Sequence, residues 1–203
     1  MKRFVLHILA GLLPFMAHAQ RYADSIAQYR QHYKSDFLTD ARGPLKAADT
    51  GFLRFYPADI AYRVKAIFVP TPQSPEFSMP THSGKDKAFR QYGTATFRLH
   101  DTLLVLHVYQ NLALIKDPKY KDDLFIPFTD LTNYEETYAG GRYIDVSIND
   151  IKKNELILDF NTCYNPYCAF ATGYSCPIPP DENKLPVHIR AGEKLFGKDI
   201  TEE

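Results

Sequence analysis

From Gly51 onward the apolar residues of this chain recur at every second position, in short runs broken by turn residues. GFLRFY, YRVKAIFV, ATFRL, TLLVLHVYQ, LFIPF, RYIDVSI, ELILDF and PVHIRA are the runs. Tyr56-Pro57, the stretch from Pro70 to Pro75, Ser83-Gly84, His100-Asp101, Asn149-Asp150 and Lys153-Asn154 lie between them. A period of two puts alternate side chains on opposite faces of a strand. Strands at roughly ten-residue spacing with turn chemistry between them predict a mainly β fold, an antiparallel β-sandwich or barrel. The Phe and Tyr content, 14 each with no Trp, favours the same class. ATFRL-HD-TLLVLHV reads as the best hairpin. RYIDVSI-NDIKKN-ELILDF reads as the second and would put Asp145 and Asp159 on adjacent strands.

One segment departs from this period. In QRYADSIAQYRQHYKSDF, Tyr22, Ile26, Tyr29, Tyr33 and Phe37 recur at three- and four-residue steps. That spacing predicts one N-terminal amphipathic helix over Gln20 to Phe37. Lys34 near its end suits the helix dipole, and Gly43-Pro44 stops it. Before it stands MKRFVLHILAGLLPFMAHAQ: a basic start, an apolar run of about 12 residues and Ala17-His18-Ala19, the pattern of a secretory signal peptide. The run is short of the roughly 20 residues that span a bilayer. The expectation is cleavage after Ala19, a secreted, periplasmic product without a membrane span, and a single β-rich domain over residues 20–203. Loss of Lys2 and Arg3 leaves 22 Lys and Arg against 24 Asp and Glu. So near-neutral a chain gives no electrostatic case for nucleic acid.

The three cysteines, Cys163, Cys168 and Cys176, all fall in DFNTCYNPYCAFATGYSCPIPPDEN. Structural zinc sites prefer paired C-x2-C motifs with four ligands. Here the spacing is C-x4-C-x7-C, and no metal site is expected. A cysteine nucleophile needs a neighbouring base or cation, and none is adjacent. An oxidising compartment favours a disulfide. Cys168 with Cys176 would close a short proline-flanked loop that walls one side of a cleft, with Cys163 left as a buried thiol. Cys163 with Cys176 is the competing connectivity.

Two blocks carry a resemblance. The first holds Pro127, Phe128 and Asp130, then Thr137, Tyr138, Gly140, Gly141, Arg142 and Tyr143. The second holds Asp159, Phe160 and Asn161; Tyr164, Asn165, Pro166, Cys168 and Ala169; Cys176, Pro177, Pro179, Pro180 and Asn183; and Ala191, Gly192, Glu193 and Lys194. Together they resemble the bacterial family catalogued as domain of unknown function 1684. The resemblance implies a single β-rich domain and brings no established activity.

The candidate chemistry lies in the same blocks. Gly140 and Gly141 allow positive φ and close approach of a ligand to backbone N–H groups, and Arg142 offers a planar charged fork for a carboxylate or phosphate. The other reading is a β-turn with Arg142 paired to Asp145 or Asp130 inside the fold. Tyr138, Tyr143, Tyr164, Tyr167 and Tyr174, with Asn165, would wall an aromatic cleft or pack the core and rim. No nucleophile elbow occurs, and His82-Ser83 points to opposite sides of a strand. The sequence therefore predicts a small-ligand-binding or structural module with an anion-accepting cleft for a small anionic or sugar-like ligand and no cofactor. The alternative is a periplasmic hydrolase using Asp145, Asp159 or Glu182 beside Arg142, as paired carboxylates can.

Overall fold

The computed structural model describes residues 5–199, with side chains from residue 19 onward. A helix, α1 (Val5–Thr39), precedes seven strands: β1 (Arg63–Pro70), β2 (Glu76–Met79), β3 (Lys87–Leu99), β4 (Thr102–Asn111), β5 (Asp123–Phe128), β6 (Arg142–Ser147) and β7 (Glu155–Asp159). α1 begins well before Gln20, the start expected from the spacing. No helix among the described residues is long and apolar enough to cross a membrane.

All seven strands form one antiparallel sheet in the order β6-β5-β4-β3-β1-β7, with β2 beside β3. The sheet curls into a half-barrel rather than forming two stacked layers. The β3–β4 hairpin forms as the alternation predicts, Leu99 opposite Thr102 and Phe97 opposite Leu104. Its turn is made by His100, whose φ of 49° is left-handed. A bulge between Gln91 and Gly93 bends β3, and Gly93 lies under the ring of Phe68, where a Cβ would collide.

The second expected hairpin does not form. β6 pairs with β5 and β7 pairs with β1, so the two strands are the opposite ends of the sheet. Burial explains the choice. Leu156 and Leu158 are fully buried beside β1, Leu156 opposite Ala66. Leu124, Ile126 and Phe128 of β5 bury with Ile144 of β6. Each strand has a more apolar partner elsewhere, and residues 148–154 carry the chain from one end of the sheet to the other. Asp145 and Asp159 are therefore not neighbours.

The core fills the inner face of the curl. Alternate residues of β1, β3, β4, β5, β6 and β7 meet Phe160, Leu185, Ile189 and Ala191 there. α1 docks by the face that its periodicity defines. Ile26 and Phe37 are buried. The Tyr22 hydroxyl donates to the Asp159 carboxylate at 2.8 Å, Tyr29 to the Thr162 carbonyl at 2.9 Å and Tyr33 to Glu193 Oε2 at 2.8 Å. Phe37 then packs with Leu45, Leu53, Ala169 and Phe170.

Candidate functional site

β5 and β6 present two faces. Even-numbered residues, Leu124, Ile126, Phe128, Arg142 and Ile144, are buried on the inner side. Odd-numbered residues, Asp123, Phe125, Tyr143 and Asp145, line a cleft of about 580 Å³ on the outer side. Phe89 of β3 and Asn111 of β4 continue its floor. Tyr164, Tyr167, Tyr174 and Cys176 form a wall, and Lys87 and Arg42 bring positive charge. A second cavity of about 250 Å³, lined by Tyr29, Tyr33, Asp36 and Phe37 of α1, shares Asp145, Tyr164 and Tyr167 with the first.

Asp145 holds the junction of the two cavities. The Tyr164 hydroxyl donates to its Oδ2 at 2.6 Å. The side chain reaches solvent in the cleft although protein surrounds it on most sides. That burial pushes its carboxyl up to about 6; Tyr164 acts in the opposite direction and the charge of Asp123 adds to the rise. Burial likewise raises Asp123, with Asp122 contributing. Lys87 is lowered by burial and then by Arg42. The sheet order separates the charges: Asp145 stands on β6 and Lys87 on β3, three strands away, roughly 14 Å across the sheet at about 4.8 Å per strand, and Lys87 is further displaced along β3 from Gln91, which shares the register of Asp145 through Tyr109 and Phe125.

Cys168 and Cys176 lie at disulfide distance, their Cα atoms 6.2 Å apart. Between them runs the loop whose Tyr174 donates to the Arg42 carbonyl at 2.8 Å, tying it to the chain after α1. Cys163 is a buried free thiol pushed up to about 11 by burial, the opposite of what a nucleophile requires. Among the described residues no three His, Cys, Asp or Glu side chains converge as metal ligands.

Arg142 is not in the cleft. It is completely buried. Its guanidinium donates to Asp130 Oδ2 at 2.7 Å and to the carbonyls of Ala191, Ile189 and Glu193 at 2.6, 2.8 and 3.2 Å. Gly140 and Gly141 close a β-turn, Gly141 N–H bonding the Tyr138 carbonyl at 3.1 Å. A Cβ on Gly141, whose φ is 87°, would meet the Phe128 carbonyl and Pro179. Protein, not open space, occupies the approach to that backbone. Asn165 is buried and bonds the Lys194 carbonyl at 2.8 Å. Tyr138 packs against His82. Asp159 anchors Tyr22, and Glu182 accepts from Tyr109 at 2.8 Å. Of the residues singled out in the sequence for ligand or catalytic roles, Asp145 and Tyr164 are brought together in the cleft, along with Tyr143, Tyr167 and Tyr174.

Sequence reasoning missed Asp123, Lys87 and Arg42. Alternation in DLFIPF does place Asp123 and Phe125 opposite Leu124 and Ile126, a signal that was available. Nothing local marks Lys87 or Arg42, which meet the cleft only through the pairing of β3 and the end of α1.

The solution NMR structure of an uncharacterized protein from gene locus rrnAC0354 of Haloarcula marismortui is similar, with 26% sequence identity and a TM-score of 0.67. The alignment covers 88% of this chain and 96% of that one. No curated protein matches. The model of the family described as "Protein of unknown function (DUF1684)" matches residues 51–194, a span that holds every strand and excludes α1. The chain belongs to that family of unknown function, DUF1684.

Proposed function

We propose that the protein is an exported small-ligand-binding module whose ligand lies in the cleft of β5 and β6, with its anionic group at Lys87 and Arg42. The observation that carries this is the cleft itself. It is large enough for a small molecule, aromatic on several sides, and charged at separated points. The Lys87 ammonium has no hydrogen-bond or ion-pair partner among the described residues, and a ligand carboxylate or phosphate would offset the burial and the neighbouring Arg42 charge that lower it. Lys87 and Arg42 take over the anion-holding role that the sequence suggested for Arg142.

Export is supported by the leader pattern, by the disulfide-distance pair and by a docking face that starts at Tyr22, just beyond Ala19. The mass of the protein recovered from an exporting cell tests it: a chain beginning at Gln20 is expected. For binding, the probe is phenyl phosphate, followed by NMR. Shifts at Lys87, Arg42 and Phe89 that vanish in Lys87→Ala support the reading; no shift at those residues refutes it.

A hydrolytic reading has one observation in its favour. Asp123 and Asp145 occupy the same diagonal as Phe125 and Tyr143, whose rings lie 4.7 Å apart. That diagonal spaces side chains by roughly 7–8 Å, within the range of carboxylate pairs in inverting glycosidases. Asp123 would then replace Asp159 or Glu182 as the partner of Asp145. Release of 4-methylumbelliferone from umbelliferyl glycosides, abolished by Asp123→Asn, would favour it over binding alone.

A further inference from the structure

Four tyrosines of the cleft donate their hydroxyl protons within the fold. Tyr143 donates to the Pro177 carbonyl and Tyr164 to Asp145. Tyr167 donates to Asp40 at 2.9 Å, and Tyr174 to the Arg42 carbonyl at 2.8 Å. These residues leave a ligand the π surface of their rings. Adjacent rings stand nearly at right angles: Tyr143 and Tyr164 at 89°, Tyr167 and Tyr174 at 81°, Phe125 and Tyr143 at 72°. Rings so arranged bound a space from different directions rather than forming one flat stacking platform. A hydroxyl that has donated its proton can still accept, so these four side chains offer a ligand ring faces and acceptor oxygens but no free O–H donor. A ring face carries a negative quadrupole and attracts a cation. Asp145 stands among these rings, and the Tyr164 hydroxyl is its sole hydrogen-bond donor among the described residues, so the remaining carboxylate oxygen is open to the cleft.

We propose that the Asp145 end of the cleft binds a methylated ammonium group, with Asp145 as counter-ion and the rings of Tyr143, Tyr164 and Tyr167 as its walls. A quaternary ammonium asks for no hydrogen-bond donor, which matches walls whose hydroxyl protons are committed. The inference rests on the binding reading above and deepens it: the ligand is dipolar, anionic toward Lys87 and cationic toward Asp145. The strand spacing between those residues favours an elongated molecule over one with adjacent charges.

Binding must then depend on pH, because the cation needs the ionised carboxylate. Tyr164 from the cysteine segment, Asp123 from β5, Tyr143 on β6, and Tyr29 and Asp36 from α1 surround Asp145. The tyrosines stay neutral across the range used, so Asp145, with Asp123 beside it, governs the response.

The experiment uses choline and its neutral isostere 3,3-dimethyl-1-butanol, which differ in charge and hardly in shape. Each is titrated into the wild type and Asp145→Asn at about pH 8 and about pH 5, on either side of the Asp145 titration. Choline is expected to shift the ring signals of Tyr143, Tyr164 and Tyr167 at the higher pH. It should bind about tenfold more weakly at the lower pH, and the isostere about tenfold more weakly than choline throughout. Asp145→Asn should lose both the tighter binding and the pH response. Equal binding of choline and the isostere, or an unchanged pH response in Asp145→Asn, overturns the proposal. If phenyl phosphate binds at Lys87 while choline shifts none of these rings, the ammonium site fails and the binding reading stands. If neither probe binds, both fail.

Discussion

Arg142→Ala tests whether a fully buried charge of the molecule is scaffold. Its side chain is wholly inaccessible, as is that of its partner Asp130, 2.7 Å away. Truncation removes five donated hydrogen bonds at once, the weakest to Thr132 Oγ1 at 3.5 Å. It leaves the Asp130 carboxylate without its cation and three carbonyls of the 189–193 segment without their donor. Breaking a buried ion pair from one side costs about 3–5 kcal/mol, against a total of roughly 5–15 kcal/mol for a domain. At about 2–4 °C per kcal/mol for a chain of this size, Tm should fall by roughly 6–20 °C. Guanidinium chloride unfolding followed by circular dichroism reads it directly. Arg142→Lys should restore little, since a point charge cannot serve a carboxylate and three carbonyls in one plane. Arg142→Met with Asp130→Asn should recover part of the loss by removing both charges. A loss below about 1 kcal/mol for Arg142→Ala, or a double variant as damaged as the sum of the singles, would show that the pair is not coupled as its geometry requires.

Further outcomes follow from other contacts. Serine at Cys176 should cost about 2–3 kcal/mol in oxidised protein and nothing in reduced protein, and thiol trapping of unfolded wild type should label Cys163 alone. Burial pushes the Glu193 carboxyl up to about 8, above its value of about 4.3 in an unfolded chain. The stability it contributes is therefore complete below about pH 4.3 and is lost as pH rises toward 8; Glu193→Gln should flatten that decline in pH-dependent urea unfolding. Phe37→Ala should cost about 3–5 kcal/mol and raise hydrogen exchange along residues 22–37, because this ring closes the contact of α1 with Leu53 and Phe170.

What could be read from the sequence was what neighbouring residues decide between themselves. Tyr22, Ile26, Tyr29, Tyr33 and Phe37 define the docked face of α1 by spacing alone, and two residues between ATFRL and TLLVLHV suffice for a hairpin. The pairing of β6 with β5 and of β7 with β1 depends on which buried partner is better, a comparison across distant parts of the chain. The same limit governs the site. Arg142 has the composition of an anion holder, and only its position on the inner face of β6, opposite Phe128, turns it toward Asp130 and the 189–193 carbonyls. Lys87 and Asp123 carry no motif; they matter because the sheet order and the end of α1 bring them to one cleft.

The placement of core and cleft back to back on β5 and β6 has a further consequence. Each strand has two sides: Leu124, Ile126, Phe128, Arg142 and Ile144 hold the domain together, and Asp123, Phe125, Tyr143 and Asp145 line the cleft. Substitutions at Asp123, Phe125 or Asp145 can therefore reshape the cleft without disturbing Leu124, Ile126 or Ile144. Homologous chains are free to diverge in the lining of the cleft while keeping one scaffold, and a designer could alter the cleft one alternate residue at a time. An insertion of a single residue at the start of β6 would do the reverse, turning Arg142 outward and Tyr143 inward, and would destroy fold and cleft together.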